Sequence, residues 1–250
     1  MIGIFDSGVG GLSVFREIRK LLPEERYLYY SDNAHCPYGE KSKEYITDRA
    51  REISHFLIRQ GAEIIVVACN TATAAAIATL REEFPIRFIG MEPAVKPAVK
   101  STKTGVVGVL ATAGTLKAAK YLNTREKFSD GIKIVEHIGQ GFVELVEKGC
   151  LTGKEAEEIV TASLKPLLDE GADRIVLGCT HYPFLSETIS RTAAALYPER
   201  EMEIIDPAPA VARHLMDIMK TEALIHNEGF SISLYSSGDE SILKDTYSRL

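Results

Sequence analysis

Apolar residues along this chain fall in short branched runs, separated by longer stretches in which they recur every three or four positions, and that alternation begins at the first residue. Residues 1–5 predict a strand, 6–11 a glycine-rich turn, and 12–22 a helix stopped by Pro23. A strand over 27–30 leads into a polar loop, 31–39, that holds His35, Cys36, Pro37 and Tyr38 and is long enough to do more than connect. The helix predicted over 42–60 repeats Ile46, Ile53, Phe56 and Leu57 on one face. An alanine-rich helix is expected over 71–84. Strands over 104–110, 132–138, 175–177 and 202–206 alternate with helices over 142–148 and 153–170. Such an order predicts an α/β fold with mostly parallel sheets flanked by helices.

Two stretches repeat each other. Gly61-Ala62-Glu63-Ile64-Ile65-Val66-Val67-Ala68-Cys69-Asn70-Thr71 matches Gly171-Ala172-Asp173-Arg174-Ile175-Val176-Leu177-Gly178-Cys179-Thr180-His181. Each reads as a turn glycine, a buried strand, then a thiol followed by residues able to open a helix. Gly3-Ile4-Phe5-Asp6-Ser7 is echoed by Gly108-Val109-Leu110-Ala111-Thr112. The offset from Gly3 to Gly108 is 105 residues, close to the 110 from Cys69 to Cys179, as one duplicated unit with a small insertion requires. Pro93 and Pro97 mark a crossing near Glu92, and Pro207 and Pro209 mark a return. We therefore expect two pseudo-symmetric lobes, residues 1–92 with 208–250, and residues 93–207.

A chain of 250 residues, 45% hydrophobic, can bury two such cores. Its net charge of −6 gives no basic field for nucleic acid, so a small-molecule ligand is the expectation. No apolar run approaches bilayer length and no signal-peptide pattern opens the chain, which predicts a cytoplasmic protein without a membrane partner. Cys36, Cys69, Cys150 and Cys179 are too few and dispersed for a disulfide scaffold. They are expected as free thiols.

Two matched thiols at the carboxyl ends of parallel strands can take a proton from one face of a carbon and return one to the other. A helix N-terminus beside each would favour thiolate. His181, two residues after Cys179, is placed to assist proton transfer there; Asp6 either does the same for Cys69 or caps the helix after the glycine turn. The backbone N–H groups of Asp6-Ser7-Gly8-Val9-Gly10-Gly11 suit an anionic group. As a dinucleotide fingerprint this run fails at Ser13, although Asp32 lies where a ribose-binding acid is expected. Pro37-Tyr38-Gly39 offers either a ligand contact or a plain turn. No metal-ligand spacing is present, and His55, His137, His214 and His226 read as surface or packing residues.

The D-S-G-V-G-G run at Asp6, P-Y-G at Pro37, A-C-N-T at Ala68 and G-C-T-H-Y-P at Gly178, in that order, resemble the glutamate racemases of the aspartate/glutamate racemase superfamily. The resemblance continues through Ile205-Asp206 to Tyr235-Ser236-Ser237-Gly238-Asp239. It implies two α/β lobes with the active site in the cleft between them, no cofactor and no pyridoxal phosphate, a homodimer, and interconversion of L- and D-glutamate for peptidoglycan. Carried over by position, Cys69 and Cys179 become the acid/base thiols assisted by Asp6 and His181. Asp6, Ser7, Tyr38, Gly39, Asn70, Thr71, Thr115, Thr180 and His181 become substrate contacts. Where many members carry Cys-Pro, this chain has Gly139-Gln140-Gly141, a departure that leaves Glu147 outside the transferred set. Racemisation of aspartate or a hydantoin, decarboxylation on a single cysteine, and a non-catalytic nucleotide- or amino-acid-binding module are the competing expectations.

Overall fold

The computed structural model describes residues 1–128 and 131–250. They form two compact units, Met1–Met91 with Ala208–Leu250, and Glu92–Pro207. In the first, β1 (Ile2–Asp6), α1 (Leu12–Leu21), β2 (Arg26–Ser31), α2 (Lys43–Arg59), β3 (Ile64–Val67), α3 (Asn70–Glu83) and β4 (Arg87–Gly90) alternate along the chain. The second contains α4 (Val95–Ser101), β5 (Val106–Ala111), α5 (Ala113–Lys117), α6 (Ala119–Phe128), β6 (Lys133–Ile138), α7 (Phe142–Glu147), α8 (Lys154–Asp169), β7 (Arg174–Gly178), α9 (Ser186–Leu196) and β8 (Glu203–Ile205). The chain then returns to the first unit as α10 (Ala208–Thr221), β9 (Ser231–Ser236) and α11 (Glu240–Ser248). None of the helices is long and apolar enough to cross a membrane, among the described residues.

Every strand pairing in both sheets is parallel. The first sheet runs β4-β3-β1-β2-β9 and the second, taken from its β8 edge, runs β8-β7-β5-β6. Over four strands the two orders are the same. The duplication therefore extends from sequence to topology, with β9 an addition outside it.

Packing repeats as well. In the first unit Phe5, Leu28, Ile46, Ile53, Leu57, Ile65, Val67 and Leu80 form one buried cluster, so the face predicted for α2 is the face that meets the sheet. Ser42 caps that helix by accepting from the Tyr45 N–H at 3.2 Å. Val107, Val109, Ala111, Val95, Ala98 and Val176 form the corresponding cluster of the second unit. A Cβ at Gly3 would lie 3.0 Å from Ala62 Cβ, 3.2 Å from Ile65 and 3.4 Å from Leu57; at Gly108 it would lie 2.7 Å from Ile175 and 3.1 Å from Leu167. Leu57 and Leu167, like Ile65 and Ile175, are separated by the same 110 residues as the cysteines. Each central strand is thus kept bare at one point so that a leucine of the covering helix can sit against it.

The main departure from the sequence-based expectation is β9. Exposed Ser231 and Ser233 alternate with Ile232 and Leu234, the pattern of an edge strand, and the strand pairs in register with β2 from Arg26↔Ser231 to Ser31↔Ser236. The loop after β2 also differs, because it folds into two short 3-10 turns, Asn33–His35 and Tyr38–Glu40.

Gly3→Ala and Gly108→Ala should each destabilise the fold by about 1–3 kcal/mol, the cost of an added methyl in a close-packed site. Thermal unfolding of the two variants checks this, and unchanged melting temperatures would contradict the packing described.

Candidate active site

In the first unit the polar residues gather where β1, β2 and β3 end. Asp6 is fully buried. Its carboxylate accepts the Ser7 N–H at 2.7 Å and the Gly11 N–H at 2.6 Å, and the Ser7 hydroxyl at 3.4 Å. Gly11 immediately precedes α1. Asp6 therefore ties the glycine turn to the helix start, and two of the N–H groups expected to meet an anionic ligand are already occupied by this internal carboxylate.

The loop after β2 is organised around a second buried acid, Asp32. Arg49 of α2 grips it with two bonds, Nε to Oδ2 at 3.0 Å and Nη2 to Oδ1 at 2.8 Å, while the Tyr38 hydroxyl donates to Oδ2. Burial raises the Asp32 pKa, but the hydrogen bonds from Arg49, Tyr38 and Ser237 outweigh it and leave the group below the ordinary carboxylate value of 3.8. A carboxylate held this way is not presented to a ribose, which removes the main support for a nucleotide ligand. Tyr38 itself is buried in the same cluster as Cys69. Burial, reinforced by the charge of Asp32, keeps its phenol far above the usual range, so it remains a donor. That donor is directed to Asp32.

Cys69 follows β3 and is the N-cap of α3, its sulfur accepting the Ala72 N–H at 3.4 Å. The thiol also reaches the Ser7 hydroxyl at 3.9 Å. A helix N-terminus and a backbone donor aimed at sulfur favour negative charge there. Next to it, the Asn70 side-chain oxygen is buried without a hydrogen-bond partner. An acceptor left this way is costly unless a ligand supplies the donor. Thr71 is buried one residue further on.

In the second unit Cys179 follows β7 directly. Its sulfur lies 3.8 Å from His181 Nδ1, and His181 Nε2 lies 2.6 Å from Glu147 Oε1 at the end of α7. A carboxylate accepts, so Nε2 carries the hydrogen, and in the neutral ring the Nδ1 lone pair faces the thiol. Glu147, set aside on sequence grounds, is thus brought against the histidine. The Gly139-Gln140-Gly141 departure has a local logic too: a Cβ at Gly139 would lie 2.6 Å from the Tyr182 ring, and Gly141 at φ +82° caps α7. Tyr182 donates to the Gly139 carbonyl at 3.2 Å, and burial, then the charge of Cys179, holds its phenol well above the usual range. Thr180 is buried between the thiol and the histidine in sequence. Thr115 lies in α5 just after β5; its N–H donates to the capping Thr112 Oγ1 at 3.2 Å, and its hydroxyl accepts from that same Oγ1 at 3.0 Å.

The expectation of a helix opening at both thiols is met at Cys69 only. After Cys179 the chain makes a 3-10 turn, Tyr182–Leu185, before α9 begins. The first α-helical bond of α3 is Thr73 N–H to the Cys69 carbonyl at 2.8 Å. The position 110 residues later is Pro183, which has no N–H to donate.

Arg49 is the site-related residue that the sequence reading missed. It falls within the helix expected over 42–60, but nothing local says that it turns inward to an acid seventeen residues away.

The family model for Asp/Glu/hydantoin racemases matches residues 2–215 of this chain. The glutamate racemase of Ectopseudomonas mendocina (strain ymp) is 48% identical over 240 residues, covering 95% of this chain and 89% of the relative. That of Methylococcus capsulatus (strain ATCC 33009 / NCIMB 11132 / Bath) is 48% identical over 224 residues, 90% of this chain and 81% of the relative. Among solved structures, glutamate racemase isoform RacE1 from Bacillus anthracis superposes with a TM-score of 0.87 at 33% identity, covering 100% of this chain and 92% of that one. Escherichia coli glutamate racemase in complex with L-glutamate and the activator UDP-MurNAc-ala gives 0.87 at 33% identity, covering 99% and 94%.

Because the folded pKa of Asp32 is depressed, its stabilisation is complete above the unfolded value of 3.8 and is lost as pH falls through the lower folded value. Asp32→Asn, which takes from Arg49 its buried partner and leaves it only the exposed Glu52, should cost about 3 kcal/mol at neutral pH. Urea unfolding of both proteins should show that difference shrinking on acidification to pH 3. An equal difference at pH 7 and pH 3 would contradict the assignment.

Proposed function

We propose that this chain, which belongs to the Asp/Glu/hydantoin racemase family, interconverts L- and D-glutamate without a cofactor, using Cys69 and Cys179 as paired acid/base thiols. The observation that carries this reading is the matched pair of buried thiols at equivalent strand ends, each with its own polar partners: Ser7 and the Ala72 N–H for Cys69, and His181 backed by Glu147 for Cys179. Glutamate is favoured over aspartate by relatives 44–48% identical over nine-tenths or more of the chain, all named glutamate racemases. The aspartate racemase homologue from Pyrococcus horikoshii, at 22% identity, supports the fold alone.

In the proposed cycle one cysteine, as thiolate, removes the α-hydrogen, and the other, as thiol, delivers a hydrogen to the opposite face. Each turnover therefore exchanges the protonation states of the two sulfurs, and the reverse turnover restores them. Negative charge that develops on the α-carbon spreads into the adjacent carboxylate, where preorganised donors stabilise it. Asn70, with its unsatisfied oxygen, fits the substrate ammonium. Asp6 acts through Ser7, whose N–H and hydroxyl it orients beside Cys69. Thr71, Thr115, Thr180 and the backbone at Gly39 complete the proposed contacts. His181 takes up or returns the Cys179 proton, with Glu147 fixing its tautomer. The D-glutamate formed in the cytoplasm would serve peptidoglycan synthesis.

Purified protein given L-glutamate and no added cofactor should bring its optical rotation to zero. Cys69→Ser and Cys179→Ser should each lower that rate about 10²–10⁴-fold, the usual worth of a placed general acid or base. Full turnover by either variant contradicts the two-thiol scheme. Glu147→Gln should lower kcat/KM in both directions by the same factor, since the two enantiomers have equal free energies. Polarimetry started from each enantiomer measures this, and an unaltered rate removes Glu147 from the relay.

A further inference from the structure

One sequence motif is not absorbed by the chemistry above. Tyr235-Ser236-Ser237-Gly238-Asp239 ends β9 and opens α11, outside residues 2–215 that the family model covers. It is nevertheless fitted closely to the first turn of the loop that carries Tyr38 and Gly39. The Ser237 N–H donates to the Ser31 carbonyl at 3.0 Å, which carries the β2–β9 ladder one step past its end. The Ser237 hydroxyl accepts the Ala34 N–H at 3.1 Å and is also hydrogen-bonded to the Asp32 carboxylate. One hydroxyl thereby uses its donor and an acceptor position on two different parts of the turn.

Its neighbours act in the same place. Ser236 Oγ donates to Asn33 Oδ1 at 2.7 Å, and Asn33 Nδ2 donates to the Asp239 carbonyl at 2.8 Å. Gly238 N–H donates to Ser236 Oγ at 3.2 Å. A Cβ at Gly238 would stand 2.8 Å from Asn33 Oδ1 and 3.2 Å from the Ala34 nitrogen, so no side chain fits between the motif and the turn. Four residues of the C-terminal segment, Ser236 to Asp239, thus form a clamp on residues 31–34, three residues before Pro37 and four before Tyr38.

We propose that Ser237 is a positioning residue for the Tyr38–Gly39 loop, joining the C-terminal strand to the Asp32–Ala34 turn so that the loop is held in its substrate-binding conformation. The inference rests on the reading of Tyr38 and Gly39 as part of the glutamate site. Ser237 acts through Ala34 and Asp32, and Arg49 and Tyr38 still hold Asp32 when it is removed. The expected effect is therefore on binding more than on chemistry.

The test uses the full chain. Ser237→Ala should raise KM for L-glutamate about three- to tenfold while kcat stays within about twofold, the loss expected from one hydrogen bond that holds a binding loop. Ser237→Thr, which keeps the hydroxyl, should restore KM. Ser233→Ala, an exposed serine on the same strand, should alter neither constant. Hydrogen exchange at the Ala34 amide should accelerate in Ser237→Ala alone. An unchanged KM in Ser237→Ala, or equal impairment of the Ala and Thr variants, overturns the positioning role. If the unaltered chain fails to racemise glutamate, the proposed function falls instead, and the exchange rate at Ala34 then decides whether Ser237 holds the turn.

Discussion

Parallel pairing is the constraint on which the rest depends. In a parallel ladder all strands deliver their carboxyl ends to one edge, so residues far apart in sequence arrive at one level. The register Asp6↔Ser31 and Phe5↔Val67 brings Asp6, the Asp32 turn and the run into Cys69 together. In the second sheet, Ala111↔Gly178 and Ala111↔Ile138 bring Thr112, Cys179 and Gly139 together. Tyr182 can reach the Gly139 carbonyl for that reason. A slip of one residue in either ladder would turn the strand's buried face outward and scatter these groups.

The carboxyl edge of the first sheet is then consolidated by two carboxylates turned inward. Asp6 satisfies backbone donors that a glycine-rich turn would otherwise leave exposed, and Asp32 collects a guanidinium and two hydroxyls. A buried charge is tolerable only when its lone pairs are filled. Both acids are filled by groups from neighbouring elements, so they act as fasteners for loops that have little apolar surface of their own.

Much of this was legible from residue order because the signals were local or repeated. The strand–thiol units at Cys69 and Cys179, the buried face of α2 and the crossing near Glu92 each rest on a pattern within one segment. β9 was hidden because its alternate serines mute the hydrophobic signal, and it is recognisable as a strand only once β2 is available to pair with. The partnerships Arg49–Asp32 and Glu147–His181 span 17 and 34 residues and depend on how a helix is rotated over its sheet. Periodicity assigns a residue to a helix face; it does not name the acid or base that the side chain will find. The symmetric helix expected at both thiols failed for a covalent reason, a missing backbone N–H at Pro183.

That proline also bears on how duplicated halves diverge. Two copies of one ancestral unit start with equal chemistry at equivalent positions, and mutation must make them unequal without spoiling the shared framework. Exchange between an ordinary residue and an imino acid four positions past the sulfur leaves the strand, its neighbours and the thiol where they were. It redirects only the chain that leaves. One copy can thereby keep a sulfur cradled by its own main chain, while the other frees that space for an imidazole, so inherited symmetry of position coexists with acquired asymmetry of solvation.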